Sequence, residues 1–98
     1  MIDVEQFRNR VQAVCRELSL RRLDLIGSAV RDDFSEKSDI DVLVTFASDE
    51  RLFERYFSLK ERLEEIFNRK VDVIEERAIK NPYFKQAIEK NRIRIYGT

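Results

Sequence analysis

Residues 27 to 41 constrain this chain more than any other stretch: Gly27-Ser28, ten residues, then Asp39-Ile40-Asp41. The residues before Gly27, Leu23-Asp24-Leu25-Ile26, read as a short buried strand. Those from Ile40 to Phe46 read as a second apolar strand. A Gly-Ser pair after a strand predicts a tight turn into a helix, whose free N–H groups can hold an anion. Asp39 and Asp41, at i and i+2, are then expected on one sheet face. Same-face neighbours on a strand lie about 6.6–6.8 Å apart at Cα. Two carboxylates at that spacing can lean onto hard cations roughly 3.5–4 Å apart, as in two-metal phosphoryl-transfer sites.

A plainer reading stands beside each of these residues. Asp-x-Asp can simply begin a strand, with Asp41 facing water. Ser28 can cap a short helix, a use of the same orphan N–H groups that a phosphate would take. Arg31, one turn beyond Ser28, can reach a phosphate or pair with Asp32, Asp33 or Glu36. The run Lys70-Val71-Asp72-Val73-Ile74 reads as a third strand with one acid at its centre. Aspartate is depleted in strands and costly in their interiors. Asp72 therefore either faces solvent from an edge strand or joins Asp39 and Asp41 as a third carboxylate, an oxygen set that suits Mg²⁺.

These residues resemble the signature of the nucleotidyltransferase superfamily that includes DNA polymerase β: Gly-Ser, ten residues, Asp-x-Asp, and a later strand carboxylate. The run Ser38 to Phe46 and the short length are similar to its minimal members, the MNT domains. Leu59 to Glu64, Val71 to Ile74 and Asn81 to Phe84 are similar to stand-alone MNT antitoxins paired with HEPN toxins. The resemblance implies that Gly27, Ser28 and Arg31 bind the nucleotide. It implies that Asp39, Asp41 and Asp72 bind Mg²⁺, as two ions, and carry the catalysis. It also implies transfer of a nucleoside monophosphate, with ATP as substrate and a tyrosine of a HEPN ribonuclease toxin as acceptor. The chain departs from the usual Gly-Ser-x-Ala-Arg-Gly pattern: Val30 replaces the alanine and Asp32 the glycine.

The remainder bounds the answer. Lysine plus arginine equals aspartate plus glutamate at 19 each, so no net field attracts nucleic acid. Arg21-Arg22 and Arg92–Arg94 read as ordinary surface charge. The chain has no histidine, which removes histidine bases and zinc sites of that type. One cysteine, Cys15, leaves no intrachain disulfide and reads as apolar filler. With no signal peptide or long apolar run, a cytoplasmic protein without membrane contact is expected.

Helical spacing of Val4, Phe7, Val11, Val14 and Leu18 predicts an amphipathic helix from about Asp3 to Leu18. A second helix is expected from Asp49 to Asn68, with Leu52, Tyr56, Leu59, Leu63 and Ile66 along one face. Asn81-Pro82 marks a boundary, Tyr83 to Lys90 reads as a short helix, and Arg92 to Tyr96 as a terminal strand. Phe53, Phe57, Phe67 and Tyr56 are assigned to the core rather than to a partner surface, and so are Tyr83 and Phe84. Together these elements predict a single α/β (α+β) domain over residues 1–98, a small mixed sheet backed by helices. The function expected is Mg²⁺-dependent transfer of AMP to a HEPN-type toxin. The alternatives are an antitoxin that neutralises by docking alone and, third, nucleotidyl transfer to a small molecule.

Overall fold

The computed structural model describes residues 1–98. Along the chain run α1 (Val4–Glu17), β1 (Leu20–Ile26), β2 (Ile40–Phe46), α2 (Leu52–Phe67), β3 (Val71–Glu75), α3 (Pro82–Lys90) and β4 (Ile93–Tyr96). Two 3₁₀ turns, Gly27–Val30 and Glu76–Ala78, follow β1 and β3. The four strands form one mixed sheet in the order β3-β2-β1-β4. β1 is antiparallel to both β2 and β4, while β2 and β3 are parallel, joined by the α2 crossover. This is the α+β architecture the residue pattern predicts.

Alternation along the strands, broken by an irregularity between Leu20 and Arg22 of β1, separates two faces. Leu23, Leu25, Ile40, Val42, Val44, Val71, Val73 and Ile95 pack with α1 and α2 in a cluster of seventeen buried residues. α1 contributes Val11, Val14 and Cys15, and α2 contributes Leu59, Leu63 and Phe67 at four-residue steps. Burial pushes the Cys15 thiol up to about 12, as its role as apolar filler requires. The opposite face carries Asp24, Ile26, Asp41, Leu43, Asp72 and Ile74. Ile26, Leu43 and Ile74 are covered there by Ile79 and by Ile88 of α3, and Asp24 is buried beneath Arg92 and Arg94.

Helix ends follow local chemistry. Asn81 caps α3: its side-chain oxygen accepts from the N–H of Tyr83 at 2.8 Å and of Phe84 at 3.4 Å, and Pro82 occupies the first turn. α2 begins at Leu52, three residues later than expected, because Arg51 is left-handed at φ 50°. It ends at Asn68, also left-handed at φ 52°, a common helix stop.

Side chains of the helices also reach the two edge strands. Tyr56 donates its hydroxyl to the Val73 carbonyl at 2.9 Å, Lys60 donates to the Val71 carbonyl, and Glu64 accepts the Val71 N–H at 3.0 Å. On β4, Gln12 donates to the Ile95 carbonyl at 2.9 Å. No helix is long and apolar enough to cross a membrane.

The core assignment of the aromatics holds for Phe67, which is buried and packs on Phe7 with ring centroids 4.9 Å apart. It fails for four others. Phe53 is 76% exposed, Tyr83 is 79% exposed, and Phe57 and Phe84 are also exposed. Phe53 and Phe57 pack on each other at 4.7 Å on the outer side of α2, flanking the stripe that the sheet covers. Tyr83 and Phe84 sit in the first turn of α3, a helix that buries only Ile88.

Candidate active site

The site grows out of one glycine. Gly27 turns the chain out of β1 with φ +69°, a conformation that side chains other than glycine's rarely adopt. A Cβ there would also lie 2.5 Å from Oδ2 of Asp41, so the missing side chain is where that carboxylate rests. The turn that follows is a single 3₁₀ turn of four residues rather than the expected helix. Arg31 returns to extended backbone and ends it. Ser28 does not act as its cap, because no side chain caps this turn. Its hydroxyl instead donates to the Asp39 carbonyl at 3.4 Å, tying the turn to the start of β2.

Register places the acids. Asp41 lies opposite Ile26 of β1 on one side and Asp72 of β3 on the other. Parallel neighbours in a sheet are about 4.8 Å apart, so the Asp41 and Asp72 side chains stand side by side on one face. Asp72 is an exposed residue on an edge strand, as the plainer reading has it, and it is the register partner of Asp41. Asp39 is exposed and precedes β2 by one residue, outside any regular element.

The electrostatics of the group are unfavourable as it stands. Asp41 is half-buried, and its carboxyl is raised above the usual carboxylate range. Burial is the largest cause, followed by the charges of Asp72 and Asp39 and the contact with Asp72; Arg31 opposes them. Arg31 itself pairs with Asp33 at 3.2 Å, the local ion pair that its neighbours made one of two readings. Asp32, the departure from the usual glycine, is exposed.

Such a group favours a cation. Its donors are oxygen only, its charge is only partly offset by Arg31, and Gly27 leaves room for the Asp41 carboxylate, all of which fit a hard divalent ion. No three acidic, histidine or cysteine side chains close around one point. Mg²⁺ does not require that, since it commonly takes one or two carboxylates plus substrate phosphates.

A third acid on the same face is not singled out by the sequence. Asp24, in the middle of β1, is 1% exposed and accepts from two arginines. Arg94 donates through Nε to Oδ1 and Arg92 through Nε to Oδ2, each at 2.7 Å. Arg92 also donates to Glu76 at 3.2 Å and pairs with Glu89 of α3. Arg92 and Arg94 are therefore not ordinary surface charge. Their signal was Asp24 itself, an acid inside an apolar strand, the anomaly that drew attention to Asp72.

Comparison with known proteins agrees with this fold. The family model described as nucleotidyltransferase domain matches residues 8–95. A Methanocaldococcus jannaschii protein, provisionally named a protein adenylyltransferase, is 35% identical over 92 residues, covering 93% of this chain and 92% of that protein. A solved structure, provisionally described as a minimal nucleotidyltransferase, superposes with a TM-score of 0.73 at 30% identity, covering 94% of this chain and 95% of that one. A tri-AMPylated HEPN toxin of Shewanella oneidensis in complex with an MNT antitoxin gives a TM-score of 0.67 at 20% identity, covering 96% of this chain and 72% of that one. At that identity the likeness is one of fold.

Proposed function

The chain belongs to the nucleotidyltransferase domain family, and from that premise we propose that it moves AMP from ATP onto a hydroxyl of a protein partner. The partner is a HEPN-type toxin, with tyrosine as the acceptor, and this chain is its antitoxin. The observation that carries the reading is the in-register pair Asp41–Asp72 beside the Gly27 turn that makes room for the Asp41 carboxylate. The name of the M. jannaschii relative, which matches along nearly the whole chain, supports adenylyl as the group transferred.

Roles follow from position. The Gly27–Val30 turn offers backbone N–H groups to the triphosphate, and the Ser28 hydroxyl is at hand beside them. Arg31, more than half exposed and held only by Asp33, can exchange that partner for a phosphate. Asp39, Asp41 and Asp72 would hold Mg²⁺, as two ions, which would neutralise the charge that gathers on the phosphates. The acceptor oxygen forms its bond to the α-phosphorus as the bond to pyrophosphate breaks. Its proton passes to Asp72, the exposed member of the pair. Little else is needed, because phosphoryl-type transfer depends chiefly on positioning and charge neutralisation.

A second reading is neutralisation by docking alone. The exposed Phe53–Phe57 pair and the exposed Tyr83 and Phe84 favour it, since exposed aromatics are enriched at interfaces. One experiment separates the two. The partner is incubated with trace amounts of this chain, ATP and Mg²⁺, and weighed by mass spectrometry. Transfer predicts mass steps of one AMP and protection at far below equal molar amounts. An Asp39→Asn/Asp41→Asn double variant is expected to bind the partner without changing its mass or activity. If that variant protects as well as wild type at equal molar amounts, docking suffices and the transfer reading is wrong.

A further inference from the structure

Asp39 is the one acid of the site that no regular element holds, yet the residues on both sides of it are fixed by the same two-residue segment. The N–H of Ile40 donates to the Lys70 carbonyl at 3.0 Å, the bond that starts the β2–β3 pairing. Immediately before it, Arg69 donates through one guanidinium nitrogen to the Ser35 carbonyl at 2.7 Å and to the Ser38 carbonyl at 3.4 Å. The same guanidinium lies 4.5 Å from the centre of the Phe34 ring, and Phe34 packs against the main core. Ser35 and Ser38 are bonded to each other through backbone and hydroxyl groups, so the turn that Arg69 grips moves as a unit. Three residues after Arg69 comes Asp72.

We propose that Arg69 is a positioning residue for Asp39: it fastens the loop that delivers Asp39 to the strand that carries Asp72. The inference rests on the reading of Asp39, Asp41 and Asp72 as the metal and nucleotide site. Arg69 is half-buried and its described bonds go to main-chain carbonyls, so its part is to set where Asp39 stands. The exposed loop from Asp32 to Lys37 is otherwise anchored chiefly by Phe34, the Arg31–Asp33 pair being local to it. Without the guanidinium, the Ser35 and Ser38 carbonyls lose their contact across the site and the Phe34 ring loses its cover. Asp39 then samples a wider range, and the distance between the two ends of the carboxylate cluster is no longer set. Residues that orient a metal ligand in this way typically change metal affinity about 10–100-fold when removed.

The test is a double-mutant cycle read by calorimetry rather than by turnover. Mn²⁺ with α,β-methylene ATP, which cannot release pyrophosphate, is titrated into wild type, Arg69→Gln, Asp39→Asn and the double variant. Arg69→Gln is expected to weaken binding about tenfold in the wild-type background and to leave it unchanged when Asp39 is already asparagine. Exchange of the Ser38 and Ile40 amide protons should be faster in Arg69→Gln without any ligand. If Arg69→Gln does not fold, Arg69→Lys and Phe34→Leu take its place in the same cycle. An equal loss in both backgrounds overturns the proposal, since Arg69 would then act independently of Asp39. A wild type that requires Asp39 and is indifferent to Arg69 also overturns it, while leaving the site reading intact. A wild type that does not bind the metal–nucleotide pair, or an Asp39→Asn variant that binds as well as wild type, overturns the site reading and this proposal with it.

Discussion

Asp24 and Asp41 sit on adjacent strands of one sheet, on one face of it, and end in opposite electrostatic states. Asp24 is the more buried of the two, and burial pushes its carboxyl up, but the guanidiniums of Arg94 and Arg92 outweigh burial and hold it below the usual range. Asp41 is less buried, yet its carboxyl is raised, first by that burial and then by the charges of Asp72 and Asp39, which add to burial where arginines oppose it at Asp24. The difference is in the company each acid keeps, not in depth. Asp24 is matched within the fold and joins β1 to β4, to the Glu76 turn and to α3. Asp41 is left unmatched, and a protein tolerates such a cluster where function supplies the missing charge.

The comparison breaks first at Asp24. Asp24→Asn leaves two part-buried arginines without their shared anion, and is expected to cost about 3–5 kcal/mol, read as the midpoint of denaturant unfolding. A loss below 1 kcal/mol would mean that the arginines reach solvent and that the cluster is no cornerstone. Asp41→Asn should act in the other direction. Without metal it relieves repulsion, so stability should equal wild type or exceed it by about 1 kcal/mol, while AMP transfer disappears. A marked drop in apo stability would make Asp41 a folding residue and erase the contrast.

Acid sharpens the same contrast through the sign of each shift. The raised carboxyl of Asp41 takes up a proton in the folded state before it does in the unfolded one. Stability should therefore rise as pH falls toward the region just above the ordinary value of 3.8. The lowered carboxyl of Asp24 contributes stability that is complete above 3.8 and is lost as pH falls through its lower folded value. Stability measured against pH should lose its rise in Asp41→Asn and much of its acid fall in Asp24→Asn. The smallest effect is expected at the rim. Glu89 is largely exposed, so Glu89→Gln should cost only about 0.5 kcal/mol in the same unfolding measurement, although it pairs with the same Arg92.

Several features were legible in the residues because local chemistry decides them. β2 spans Ile40–Phe46 as read, α1 and α3 differ from expectation by one residue at the ends, and Pro82 and Asn81 start α3 as their types dictate. The gathering of Asp41 with Asp72 was readable only as a possibility. Parallel pairing across α2 sets that register, and no short-range signal reports it. The Gly-Ser helix was over-read because a 3₁₀ turn needs the same glycine. Four aromatics were placed in the core by hydrophobicity alone. α3, however, covers only a corner of the second face, and Phe53 and Phe57 fall on the rim of α2 that the sheet does not reach. Arg69 was invisible for a different reason: its partners are main-chain carbonyls, which any sequence offers.

The bonds from Tyr56, Lys60 and Glu64 to β3, and from Gln12 to β4, have a consequence for company at high concentration. A bare edge strand is a template on which another chain can crystallise its own backbone, and small sheets are prone to stacking rim to rim. Here both rims are already spoken for by side chains of the helices. Growth by adding strands is therefore discouraged at both ends, which leaves the helix surfaces and the acidic face as the ground on which another protein can be met.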